Sequence, residues 1–257
     1  MKLRVLFLLL LLNNILYAQR VTREVERDGD WNIVKINLSA LATNTFSFQY
    51  ERALSNKVSL ALGVKFRPSS GIPFKSTIKS FLDTLSDGVA IDFVNNAKVG
   101  GYAITPEIRL YLGKGAMHGF YLAPFARYEN NNLNNWRYTF KSPTKTIVID
   151  FTGNQKGVGV GLQFGAHYML SQKLSLDIWL AGPYVFANRV KVNSVTDLSD
   201  KTDQELQDVK NDIEKYVKDY LPGHTVNATV SKTGAFATAK GTYYGARVLG
   251  FALGYRF

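Results

Sequence analysis

From residue 34 to the last residue, large apolar side chains recur at every second position, in segments separated by turn-forming residues. Val34, Ile36, Leu38 and Ala40 alternate with Lys35, Asn37, Ser39 and Leu41, and Phe46, Phe48 and Tyr50 with Ser47, Gln49 and Glu51. Val58 through Phe66, Ile104 through Leu112, Leu122 through Tyr128 and Val158 through Ala166 repeat the pattern, as do Leu174, Leu176, Ile178, Leu180 and Tyr184 on one face against Ser175, Asp177, Trp179 and Ala181 on the other. The last segment sets Leu249, Phe251, Leu253, Tyr255 and Phe257 against Gly250, Ala252, Gly254 and Arg256. A period of two is that of a strand with unlike faces, so the pattern predicts eight strands. Short connections fall at residues 42–44, 54–57, 113–119 and 170–173, and long ones at 68–100, 130–156 and 191–242. Within 130–156 the alternation resumes in Trp136, Tyr138 and Phe140 and returns through Ile147, Ile149 and Phe151, a hairpin projecting beyond the membrane. Pro106 cannot donate to a ladder and makes the register of its strand the least secure.

Two long connections carry helical spacing instead. Phe74, Ile78, Phe81, Leu82 and Leu85 form one short stripe. Thr202 and Glu205 have capping-box spacing ahead of a longer stripe, Leu206, Val209, Ile213, Tyr216, Val217 and Tyr220, which ends before Pro222 and Gly223. This second stripe needs a cover: the 68–100 connection, the mouth of the sheet structure, or a partner that makes it an interaction helix.

The residues opposite the apolar rows decide what kind of β protein this is. Lys35, Glu51, Lys65, Arg67, Glu107, Arg109, Arg127, Glu129, Asp177 and Arg256 all fall on that second face. A soluble sandwich would put these charges in water, and a membrane barrel would put them inside and the apolar rows against lipid. Aromatic residues at segment ends (Tyr50, Phe66, Tyr102, Tyr128, Tyr168, Tyr184, Tyr244) match the girdles a barrel carries at its interfaces. The expected fold is therefore all-β: an eight-stranded antiparallel up-and-down transmembrane β-barrel with long extracellular loops carrying short helices.

The start of the chain agrees. Lys2 and Arg4, an apolar run from Val5 to Leu12, and Leu16-Tyr17-Ala18 read as a signal peptide over 1–18. The run is too short to span a bilayer as a helix. Residues 19–31 form a charged periplasmic lead and 32–257 the barrel, with residence in the cell outer membrane. Without the two signal-peptide cations the net charge falls from +11 to +9, and the basic residues are spread rather than clustered. Outer-membrane lipid and lipopolysaccharide suit such a surface, and no nucleic-acid partner is expected of an exported chain. The chain contains no cysteine, which excludes disulfides, zinc-thiolate sites and thiol nucleophiles.

The runs NIVKINLSALATNTFSFQYERALSNKVSLALGVKF, AITPEIRLYLGKG and GFYLAPFARY resemble a family of Gram-negative outer-membrane β-barrel proteins grouped under a domain of unknown function. The resemblance implies a fold and a location, with no catalytic residues to carry over. The terminal alternation Phe251, Leu253, Tyr255, Phe257 also resembles the signal read by the outer-membrane assembly machinery, a further expected partner. Eight strands leave room for side chains but not for an open pore. The ten inward charges then form a plug, and the protein has a structural or surface-interaction role, with a protein or surface ligand at its loops. A narrow channel or carrier for small solutes and a lipid-modifying enzyme are the alternatives. The enzyme is disfavoured because His118, His167 and His224 have no serine and acid at a telling spacing, and the aspartates from Asp197 to Asp219 alternate with lysines and lack a calcium-loop pattern. No cofactor and no metal are expected.

Overall fold

Strands that follow one another in the chain pair antiparallel, and the first pairs with the last. The structure, a computed structural model, describes residues 32–84, 88–113, 115–141 and 146–257. The expected signal peptide and lead, and Leu85, lie outside these. The elements are β1 (Asn32–Asn37), α1 (Leu38–Leu41), β2 (Phe46–Ala53), β3 (Val58–Gly71), α2 (Lys75–Thr84), α3 (Gly88–Asn96), β4 (Lys98–Tyr111), β5 (Gly119–Lys141), β6 (Thr146–Met169), β7 (Leu174–Ser194), α4 (Asp203–Tyr220), β8 (Thr225–Ser231) and β9 (Gly234–Arg256). The ladder runs β1-β2-β3-β4-β5-β6-β7-β9, and β9 returns to β1, from Ile33 opposite Arg256 to Asn37 opposite Ala252. Eight strands thus close a barrel, as expected. A ninth strand, β8, lies outside the ring and pairs only with residues 234–240 of β9.

Closure follows from the alternation. Val34, Phe48, Leu62, Ile104, Leu122, Leu162, Ile178 and Phe251 face outward, and together the outward rows make an apolar band round the barrel. Leu253, Tyr255 and Phe257 extend it to the end bearing the short turns. The ladder between β4 and β5 is interrupted around Pro106 and Pro124, which lack the N–H it needs.

Four expectations are corrected. The first strand ends at Asn37, not Ala40: the Asn37 side chain accepts the N–H of Ala40 at 3.0 Å and caps a single helical turn, α1. The 130–156 connection is the projecting hairpin expected, whereas 191–242 is not only loop and helix: β7 runs on to Ser194, β9 begins at Gly234, and β8 lies between α4 and β9 in the chain. Tyr184 faces inward and Ala181 outward. Phe164 pairs with Ala181 but Gly165 with Trp179, so Leu180 is one residue extra relative to β6, a bulge that reverses the faces of β7 beyond it. β9 stays in unbroken register with β7 and reverses with it, so Val248 and Leu249 both point outward.

The fourth correction concerns the helix stripe. Beyond the band, β5, β6, β7, β9 and β8 form a crown whose inner face is covered by α4. The capping box of Thr202 and Glu205 starts α4 as its sequence spacing predicts. Leu206, Val209 and Ile213 are buried against Tyr138, Ile149, Phe151, Val192 and Ala237, with Tyr216 and Val217 packed beside them. The stripe is therefore core, not an interaction surface, and its cover is the sheet rather than the 68–100 connection. The Tyr220 side chain lies outside the described ones. Tyr138 donates its hydroxyl to Asp212 on α4, and burial with that carboxylate pushes its phenol well above its ordinary range. A cavity of about 130 Å³ remains between α4 and the sheet, lined in part by Trp136, Tyr138, Tyr216 and Val226. The 68–100 connection instead forms α2 and α3, and α3 sets Phe93 edge-on to Trp136 at 6.0 Å.

Val209 is 0% exposed, so Val209→Asp buries a carboxylate with no partner, at a cost of several kcal/mol. The expected result is rapid proteolysis within residues 199–223 while the heat-modifiable band of the folded barrel persists on unboiled gels.

Candidate functional site

The inner face of the barrel carries the chemistry. Arg109, near the end of β4, is fully buried and reaches three other strands. Its Nη1 donates to Asp177 Oδ2 at 2.6 Å and Glu51 Oε2 at 3.0 Å, its Nη2 to Gln49 Oε1 at 2.7 Å and Glu107 Oε2 at 3.0 Å. The guanidinium also lies 4.4 Å from the centre of the Tyr121 ring. Lys35 Nζ donates to Glu51 and, at 2.6 Å, to Asp177 Oδ2. Arg247 Nη1 donates to Glu107 Oε1 at 2.8 Å. Three cations, Lys35, Arg109 and Arg247, thus face three carboxylates, Glu51, Glu107 and Asp177, and the layer is neutral.

Neutral groups occupy the remaining acceptor positions. Tyr111 donates to Glu51 Oε1 at 2.6 Å, Ser59 donates to the same oxygen, and Tyr121 donates to Asp177 Oδ1 at 2.8 Å. His167 Nδ1 lies 3.1 Å from the Tyr111 hydroxyl. Space for these rings comes from β6, where a Cβ at Gly165 would sit 2.5 Å from Tyr121 Cζ.

Glu51, His167 and Asp177 place ligand atoms within 4.8 Å of one another, a spacing a metal ion could use. Their carboxylates are already taken by Lys35 and Arg109, so the positive charge here belongs to the protein. Of the other histidines, His224 Nε2 lies 2.8 Å from Asn188 Oδ1, and His118 sets its ring edge-on to Tyr168 at 6.5 Å.

A second, looser layer lies toward the end with the long connections. Arg127 Nε donates to Glu129 Oε2 at 2.8 Å, Lys65 Nζ to Glu129 Oε1 at 3.5 Å, and Arg127 Nη1 to Thr105 at 3.1 Å. Arg67 turns to the Gly71 carbonyl at 3.0 Å, and Arg256 is half-buried at the opposite end. All ten charges expected on the inner face have inward strand positions, and eight of them divide between these two layers.

The residue that sequence reasoning missed is Arg247. Counted in twos from Phe257 it falls on the apolar face, and only the phase reversal at Leu249 turns it inward. The adjacent apolar pair Val248-Leu249 is the signal that would have found it.

The model of the family described as protein of unknown function (DUF3575) matches residues 5–211. The chain belongs to this family. No curated protein matches it. Among solved structures, it is similar to the N-terminal β-barrel domain of Pseudomonas aeruginosa OprF, with 9% identity over 89% of this chain and 98% of that one, at a TM-score of 0.25. It is also similar to the β domain of the Bordetella autotransporter BrkA, with 12% identity over 90% of this chain and 99% of that one, at a TM-score of 0.31.

Arg109→Leu leaves three buried carboxylates facing two cations. It should cost about 3–5 kcal/mol, read as a lowered urea midpoint for unfolding from lipid vesicles. Adding Asp177→Asn restores the charge balance and should recover part of the loss.

Proposed function

We propose that this protein is an outer-membrane barrel with a closed lumen, which displays the α4-covered crown at the cell surface and holds anionic lipid headgroups around its outer rim. The observation that carries the reading is the neutral layer centred on Arg109, whose six charged groups fill the bore with paired side chains. A bore of eight strands has little room beyond its side chains, and ion pairs with several shared bonds do not part readily to admit solute. The role is structural or surface-interactive rather than catalytic. His167 and His224 are engaged in the buried contacts described above, which supports that part of the reading.

Orientation and lipid contact rest on a row of like charges. Lys156 is directly opposite Arg189, and Arg189 directly opposite Lys240, all three exposed on the outer face just beyond Val158 and Ala187. Among the described residues none of the three pairs with a carboxylate. Like charges opposite one another on a sheet repel, so the row calls for an anion from outside the chain. Phosphates of lipopolysaccharide lie at that height if the long connections face outward.

In planar bilayers the folded protein is expected to give no steady conductance. A stepwise, voltage-independent current would sink the closed-lumen reading in favour of a narrow channel. Replacing Lys156, Arg189 and Lys240 together by Ser should leave heat-modifiability unchanged and lower retention of lipopolysaccharide several-fold. Unchanged retention would remove the rim from the account.

A further inference from the structure

The barrel wall is incomplete in one place. β1 pairs with β9 only up to Ala252, and β8 pairs with β9 only from Lys240 down to Gly234. Between these, residues 241–250 of β9 have β7 on one side and, among the described residues, no strand on the other. Phe251 N is met there by the Ser39 hydroxyl of α1 at 2.8 Å, and among the described residues no backbone bond crosses above it. Across the gap, β2 stops at Phe46 and β3 continues from Arg67 with β4 alone. The missing wall is the upper part of the β1–β2 hairpin, which Asn37 turned into α1.

This gap lies within the apolar band. The outward row of β9 runs on through Leu249, Val248 and Ala246 to Tyr244, past the point where its strand neighbour ends. Exposure rises along it, from 39% and 40% at Leu253 and Phe251 to 72% at Val248 and 85% at Tyr244. Unpaired strand edges are not left bare in hydrocarbon, so the opening must face polar groups or hold something.

Behind the gap the lumen is rich in donors, although Arg247 already gives its Nη1 to Glu107. Arg247 lies 4.3 Å from the Trp179 ring and 4.9 Å from the Phe125 ring, and Lys65 and Arg127 share the single carboxylate of Glu129. Gln49 is 5% exposed, and among the described residues its Nε2 has no hydrogen-bond partner. Trp179 Nε1 is likewise buried without one. A cationic, donor-rich chamber that opens sideways into an apolar band fits one class of ligand: an amphiphile with an acyl chain and an anionic head.

We infer that the gap between β9 and β3 is a lateral binding site for an anionic lipid. The acyl chain lies along Val248 and Tyr244, and the phosphate or carboxylate reaches inward to Arg247 and Lys65. The site goes beyond the closed-lumen reading and shares one residue with it: Arg247 keeps Nη1 on Glu107 in the layer that seals the bore while the rest of its guanidinium serves the chamber above.

The test places a benzophenone amino acid at Tyr243, which faces inward beside Phe186, in protein reconstituted with radiolabelled phosphatidic acid or phosphatidylcholine. The same probe at outward Tyr244 reports lipid contact on any folded barrel, and at inward Tyr121, below the gap, it reports a sealed wall. Expected are adducts at Tyr243 and Tyr244 but not at Tyr121, with phosphatidic acid favoured several-fold at Tyr243 only. Arg247→Gln with Lys65→Gln should remove that preference and leave the Tyr244 adduct intact. Absence of a Tyr243 adduct while Tyr244 reacts would overturn the lateral site. Equal labelling at Tyr243 by the two lipids would overturn the anionic head, and loss of the adduct on adding inorganic phosphate would reassign the chamber to a soluble anion.

Discussion

The barrel closes only because charges on its inner face neutralise one another. Bringing eight strands into a ring buries Lys35, Glu51, Glu107, Arg109 and Asp177, which come from four strands, against one another, where an unpaired charge is costly. Arg109 resolves most of this. It is the one cation that bonds to all three carboxylates of the layer, and it reaches β2 and β7 as well as its own strand. Its bonds to β2 and β7 tie β4 to strands it does not pair with, so the ion pairs act across the bore where the ladders act along the wall.

Much of this was legible in the chain. The two-residue period gave the strands and their outward faces, and the charged second face implied a lumen. The capping box before Leu206 predicted where α4 begins, because that signal is local and both of its halves lie in the sequence. The ten charges were identified as a group, but their division into a tight neutral layer and a looser cationic one was not, since it depends on which strands face each other across the bore.

The departures have particular causes. Leu38 and Ala40 continue the alternation of β1, so a period count runs straight through the point where Asn37 turns the chain into a helix. Leu180 adds one residue to β7 relative to β6, and a count in twos cannot register an insertion that leaves both neighbours apolar. That residue accounts for the misreading of Tyr184, Ala181 and Arg247 alike. The stripe of α4 could be seen to need a cover and the 130–156 hairpin could be read from its alternation, but nothing local in the chain says that the one packs on the other, and the rest of the covering sheet, β8 and the start of β9, reads as loop. A local change at Asn37 and a single extra residue at Leu180 thus separate a uniform barrel from one with a gap in its wall and an arginine behind it.

The central claim is that Arg109 is held by several carboxylates in a bore closed to water. The most direct measurement is hydrogen exchange of its guanidinium protons by nuclear magnetic resonance, on the folded protein in detergent micelles. The account predicts resolved Nη resonances, shifted by their separate partners, that persist for hours after transfer to deuterated water. Averaged resonances that vanish within seconds would mean that water reaches Arg109 freely, and the closed lumen would have to be abandoned.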